Sequence, residues 1–292
     1  MSVFIVAGAT GHVGSVVARE LLAAGHEVRA IVRDLDKSRA LASSGAELLS
    51  GELSDAEFLT GALGGADAAF LLLPPPPHDS PDVRAFQDRV ARAESTAVAE
   101  SGIRHVVLLS SWGAEKPSGT GPLIGLHVME EALKETKARW TFLRACPFTE
   151  NLLTMVPTAR DRGILPNFFP PAHRLSMVAT RDVGSAAVRA LLSPTAASEA
   201  VYQLGIREYS PVDQAVYLSK KLGRDVELVT LPVSAVAGTM RQGGVGASLA
   251  CLIQEMYEGA TKGLFGVEPG HRVERGPTTL EQALDPHFGT QP

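Results

Sequence analysis

The residues best suited to chemistry come early in the chain. The run VFIVAGATGHVGSVVARELLAAGHEVRAIVRD places Gly8, Gly11 and Gly14 between a short apolar stretch and an amphipathic one. Glycines at this spacing, after a strand and opening a helix, suit a dinucleotide. The first permits a tight turn, the second lets backbone approach a pyrophosphate, and the third lets helix and strand pack closely. The helix N-terminus adds free N–H groups and the positive end of its dipole. The tip of the next strand then selects the nucleotide. An acidic side chain there binds the ribose of NAD, whereas an arginine takes the 2′-phosphate of NADP. Arg33 stands at that tip, followed by Asp34, with Lys37 and Arg39 adding positive charge nearby. NADP(H) is the expected cofactor. The competing readings are a glycine turn without a ligand and an arginine that is merely solvated.

The elements that must hold such a site alternate through the first half. Apolar runs SVFIVA, HEVRAIVR, AELLSG, DAAFLLL, HVVLLSS and WTFLR are separated by stretches with helical periodicity. Several runs are almost continuously apolar, as central strands buried on both faces must be. The pattern predicts an α/β fold, a doubly wound Rossmann parallel sheet. In the first helix Val13, Val16, Val17, Leu21 and Leu22 share a face, while Arg19 and Glu20 turn outward. Beyond Phe148 the alternation loosens. The sequence predicts helices over VATRDVGSAAVRALLS, YSPVDQAVYLSKKLG (Ser210 as N-cap), SLACLIQEMY and the start of GPTTLEQALDPHFGTQP, and a strand over RDVELVTLP. Residues 1–150 are expected to form the nucleotide-binding core. Residues 151–292 are expected to form a smaller substrate-binding lobe packed on it, with 176–205 returning to the core. The four prolines 74–77 are expected to stiffen a loop at a strand's C-terminal end, where ligands bind in such sheets.

Composition removes several classes. A net charge of −5 offers no electrostatic footprint for nucleic acid. No apolar run approaches the ~20 residues of a membrane span, and the first residues predict a strand rather than a signal peptide. Two cysteines, Cys146 and Cys251, are too few for a disulfide framework. A cytoplasmic monomer or homodimer acting on a small molecule is expected, with no nucleic acid or membrane partner.

Taken together, GATGHVG, VRD, GELSD, LLLP, LLSSWGAE, HVMEEAL, WTFLRACPFTENLL, MVATRDVGSAAVRALL and YSPVDQAVYLSKKLG resemble, in order and spacing, the NmrA-like group of atypical short-chain dehydrogenases/reductases. That group contains NADP(H)-sensing regulators, quinone reductases and triphenylmethane-dye reductases. The resemblance implies that Thr10, His12 and Val13 lie along the pyrophosphate with the glycines. It implies that Leu73 and Pro74 border the nicotinamide half, and that Ser110 and Ser111 end the fifth strand. The loop Cys146, Pro147 and Phe148 would cover the nicotinamide, with Asn151 fixing the segment behind it.

One departure bears on the chemistry. Orthodox members of the superfamily carry a Tyr-x-x-x-Lys pair, in which the tyrosine is the general acid. Here the lysine-like position is His127 and the tyrosine-like position is Leu123. Leucine donates no proton, so reduction of an ordinary ketone, which needs its alkoxide protonated, is poorly supported. Quinones, imines and cationic dyes take hydride with little or no acid help. The expected function is therefore an NADP(H)-dependent oxidoreductase for a small, flat, electron-poor acceptor bound in a cleft of the C-terminal lobe. The alternative is a non-catalytic NADP(H) sensor acting through a protein partner.

Other candidates divide between chemistry and scaffold. His127 could bond ribose or donate a proton, or simply pack between helix and loop. Ser110 could meet the nicotinamide amide and Ser111 a substrate oxygen, or both could satisfy loose backbone. A Ser111–His127–Asp182 hydrolase triad lacks the expected Gly-x-Ser-x-Gly elbow. Arg144 is expected on the same side as Cys146, where its charge would favour a thiolate; a small buried cysteine is the other reading. Cys251 reads as core. Trp112, Phe148, Phe168 and Phe169 could line the cleft for a flat substrate. His78 has no partners at metal-ligand spacing, and no metal site is expected.

Overall fold

Burial on both faces decides which apolar runs become central strands. In β1 (Val3–Ala7) the residues Phe4, Ile5, Val6 and Ala7 are all buried, and they alternate between two separate cores. The computed structural model describes residues 1–193, 199–205 and 207–288. The other five expected strands are β2 (Glu27–Val32), β3 (Glu47–Ser50), β4 (Ala68–Leu72), β5 (His105–Ser111) and β6 (Arg139–Ala145). Downstream lie β7 (Ile164–Asn167), β8 (Leu175–Met177), β9 (Glu199–Gly205), β10 (Arg207–Tyr209), β11 (Glu227–Thr230) and β12 (Arg272–Arg275). The main sheet has eight strands in the order β12-β9-β6-β5-β4-β1-β2-β3, with every neighbouring pair parallel. It is the Rossmann-type sheet expected, with the order reversing between β1 and β4.

The first core joins Phe4, Val6 and Phe70 to Val17 and Leu21 of α1 (His12–Ala23) and Val183 and Leu191 of α7 (Thr180–Leu192). Between them in sequence come the short α2 (Arg39–Ser43), then α3 (Ala56–Leu63), α4 (Val83–Ser101), α5 (Ile124–Lys134) and α6 (Val156–Arg162). Helices α3, α4 and α5 cover the opposite face through Leu59, Ala97 and Met129, around Ile5, Leu108 and Phe142. Complete burial of a side chain such as Phe142 contributes roughly 1.5–3 kcal/mol.

A third core lies beyond β6. It gathers Leu152, Ala159 of α6, Leu165 of β7, Tyr217 and Leu218 of α8 (Pro211–Leu222), and Leu280 and Leu284 of α11 (Leu280–Leu284). Between α8 and α11 run α9 (Val236–Gln242) and α10 (Ala247–Thr261). Ser210 caps α8 in a reciprocal capping box with Asp213, as its sequence predicts. The strand expected over RDVELVTLP is β11, which pairs with β7 outside the main sheet. Two main-sheet strands, β9 and β12, have weak signals. β12 is the polar tetrapeptide RVER at a sheet edge, where burial demands least of a sequence. Among the described residues no helix is long and apolar enough to cross a membrane.

Candidate active site

The glycine turn has the geometry its spacing implies. Gly8 adopts φ +59°, in the left-handed region where a side chain is strained. A Cβ on Gly14 would lie 2.2 Å from the carbonyl oxygen of Gly8, so only glycine lets α1 start this close to β1. Gly11 donates its N–H to the Gly8 carbonyl at 2.9 Å and sits at the N-cap of α1 without a side-chain cap. No acidic residue occupies the first turn of the helix. Thr10, Gly11 and His12 are exposed while Val13 and Gly14 are buried beneath them. The combination offers an anion the open N–H groups and the positive end of a helix, and it fits a pyrophosphate.

At the end of β2, Arg33 is exposed and has no ion-pair partner among the described residues. Its neighbours are already engaged. Lys37 pairs with Asp34 at 3.2 Å and Arg39 with Asp36 at 2.7 Å. The backbone N–H of Lys37, followed by its ammonium, holds the Asp34 carboxyl below its ordinary value. Of the cations expected to add positive potential here, Arg33 alone is left uncompensated in the structure.

The other half of the crevice runs along the ends of β4, β5 and β6. Leu72 packs on Gly8, and Leu73 turns to the opposite face against Gly125 and Gln87, with Pro74 beyond. Pro147 accepts a hydrogen bond from the Val178 N–H at 3.1 Å, and Thr149 donates to the Val178 carbonyl at 2.9 Å. Phe148 forms a single bridge with Val178. The loop after β6 is thus tied to the segment before α7. The side chain that secures it is Glu150 rather than the expected Asn151. Glu150 accepts from the Thr180 N–H at 3.0 Å and its hydroxyl at 2.7 Å, while Asn151 is exposed.

Ser110 does not present its hydroxyl to this crevice. Its Oγ donates to Glu130 Oε1 at 2.6 Å inside the protein. Glu130 also receives Arg144 Nε at 2.9 Å and its Nη2, and Arg144 Nη1 lies 3.2 Å from Glu115. Burial works against the Arg144 charge, but these carboxylates offset it and raise its pKa. Strand alternation predicts Arg144 on the same side as Cys146. Instead it faces α5, while Cys146 joins the apolar cluster on the other face, its sulfur against Gly205. In the sequence Glu130 and Glu115 each read as a solvated helix or loop charge; they become partners of Arg144 only when α5 folds onto β5 and β6.

Ser111 donates to the Trp112 carbonyl at 3.2 Å, within a half-buried turn. His127 is also half-buried, with Nδ1 2.9 Å from the carbonyl oxygen of Ala114. A carbonyl only accepts, so Nδ1 carries the proton and Nε2 of the neutral ring is an acceptor. No triad forms: Asp182 accepts from the Thr278 hydroxyl at 2.6 Å and its N–H at 3.0 Å, while Ser111 and His127 bond backbone carbonyls. Leu123 immediately precedes α5.

Of the aromatic candidates, Trp112 lies in the core with Cys146 and Leu204. Phe168 and Phe169 instead meet Tyr257 of α10, at ring-centroid distances of 5.3 and 5.0 Å. Cys251, expected in the core, is exposed on that same helix. His78 is exposed, and no cluster of metal-ligating side chains occurs among the described residues.

A model of the NmrA-like family matches residues 1–281. The chain belongs to the NmrA-like family. It is 31% identical over 257 residues to the NAD(P)H azoreductase of Xenophilus azovorans, covering 87% of this chain and 85% of that protein. Its fold resembles the NADPH complex of the NADPH-dependent quinone oxidoreductase of Escherichia coli, with TM-score 0.77 and 24% identity over 98% of this chain and 100% of the other. It also resembles the triphenylmethane reductase of Citrobacter sp. complexed with NADP(H), with TM-score 0.75 and 21% identity over 100% of this chain and 97% of that one.

Proposed function

We propose that the protein is an NADP(H)-dependent reductase that passes hydride to a small, flat, electron-poor acceptor of quinone, azo, imine or cationic-dye type. The observation that carries this reading is an intact phosphate cradle combined with Leu123 at the head of α5, where an orthodox reductase keeps its acid. The likeness to an azoreductase supports it.

The chain's own residues bind and orient. The open N–H groups of α1 take the pyrophosphate and Arg33 takes the 2′-phosphate. The Cys146–Pro147–Phe148 loop, tied to Val178, covers the nicotinamide. His127, fixed through Nδ1, turns an accepting Nε2 to a ribose hydroxyl. The reduced nicotinamide supplies the hydride, and orientation in a water-poor cleft supplies the acceleration.

The test follows loss of reduced-nicotinamide absorbance with NADPH against quinones, azo compounds, imines and cationic dyes. Turnover of at least one class is expected. Tight NADPH binding with no turnover across the set would leave a sensor in place of a reductase. In an active enzyme, His127→Asn keeps the donor to Ala114 but lacks the Nε2 lone pair. It is expected to weaken NADPH binding about tenfold, the worth of a good hydrogen bond.

A further inference from the structure

The stretch before α5 lies directly beneath α10. Gly121 adopts φ +58°, and a Cβ there would stand 2.0 Å from the Leu252 carbonyl oxygen and 2.9 Å from Met256 Cβ. A Cβ on Gly259 would lie 2.3 Å from the Gly119 carbonyl oxygen. The backbone of α10 therefore rests on the residues leading to Leu123. Tyr257 follows Met256, about 100° further round the helix. Its ring packs on Phe168 and Phe169, in the segment after β7, and Phe169 in turn stacks on His173. The Asn167 side chain fixes that segment by bonding both the N–H and the carbonyl of Phe169. A tyrosine is thus carried on the helix that crosses the loop lacking an acid, its ring set by Phe168 and Phe169.

Its hydroxyl is uncommitted. Tyr217 donates to Asp285 at 3.0 Å and Tyr209 accepts from the Leu280 N–H at 2.9 Å, whereas Tyr257 makes no hydrogen bond with any described residue. Burial raises its pKa, so it keeps its proton at neutral pH.

We propose that Tyr257 supplies, from α10, the hydrogen bond and proton that Leu123 cannot give to a neutral acceptor. This rests on the reductase reading above. With a quinone, hydride from the reduced nicotinamide forms the new bond at one end of the conjugated system. The displaced electron pair arrives on the distal oxygen, where it takes the Tyr257 proton. Water then returns a proton to the tyrosinate. The sum is one quinone, one reduced nicotinamide and one proton giving a hydroquinone and the oxidised nicotinamide. A cationic triarylmethane dye differs: hydride alone neutralises its central carbon, and no proton is called for.

Tyr257→Phe keeps the ring and removes the donor. At saturating NADPH, the ratio of quinone to cationic-dye turnover is expected to fall about three- to tenfold, the worth of one hydrogen bond to the developing oxyanion, since a quinone needs only modest acid help. In the NADP⁺-loaded protein, binding of an unreactive quinone analogue followed by fluorescence quenching should weaken about three- to tenfold relative to the dye. Loss of packing alone, as in Tyr257→Ala, would move both acceptors together. An unchanged ratio in an active Tyr257→Phe enzyme overturns this inference alone. Wild-type silence on both acceptors overturns the reductase reading with it.

Discussion

Glu94, in the middle of α4, puts a carboxyl in the interior with neither oxygen hydrogen-bonded. The residue is 1% exposed, and burial raises its pKa well above the ordinary carboxylate value of 4.5. In the unfolded chain the group ionises near that ordinary value. Between it and the raised value, the folded protein therefore binds one more proton than the unfolded chain. Stability must fall as pH rises through this window, by up to about 1.4 kcal/mol per pH unit, tenfold in the folding equilibrium. Below the window both states are protonated and the penalty vanishes. Glu94→Gln removes the titration at nearly constant shape. Urea denaturation of both proteins at about pH 5, 6 and 7 isolates the effect, because the other carboxylates cancel in the difference. The variant should gain on the wild type steadily with pH, against a total stability of roughly 5–15 kcal/mol. Parallel curves would refute the reasoning, since they would mean that Glu94 ionises in the fold as freely as in the unfolded chain.

Gly14→Ala forces a methyl into the Gly8 carbonyl, 2.2 Å away, and should cost about 1–3 kcal/mol in denaturant unfolding together with NADPH affinity by titration. Glu130→Ala strips Arg144, itself 3% exposed, of its bidentate partner. A loss of roughly 3–5 kcal/mol is expected, only part of it recovered when Arg144→Met is added, because Glu115, 3.2 Å from Arg144, then loses that partner. Arg33→Asp should weaken NADPH about 10- to 100-fold while sparing NADH, as a lost charge-assisted contact to phosphate would. Equal losses in the two titrations would detach Arg33 from the 2′-phosphate.

Where the sequence carried a periodic or steric signal, the fold follows it. The apolar runs of β1 and β4, in the middle of the sheet, became strands buried on both faces, whereas β3 at the sheet edge is only half-buried, with Glu47 and Ser50 exposed. Gly8 and Gly14 revealed the cradle because their spacing meets a steric demand that no other residue satisfies. β12 was illegible, since its place at the edge of the sheet asks little of RVER. Arg144 misled because strand alternation assigns a side but not what lies there, and the chain turns after Ala145, sending Cys146 to the opposite core. Asn151 misled for a related reason: Glu150, one residue earlier, is the side chain that meets Thr180, a partner 30 residues away.

By itself the sequence determined the strands β1 to β6, the tight glycine turn after β1 and the cation at the tip of β2, because local periodicity and steric exclusion by a Cβ are written within a few neighbouring residues. Only the tertiary structure decided which charges are spent inside and which are left for a ligand. Ser110, Glu130, Arg144 and Glu115 meet because β5, β6 and α5 pack together, and Leu252, Met256 and Gly259 meet the loop before α5 only because α10 folds across it. Such meetings depend on distances across the fold, and no spacing along the chain encodes them.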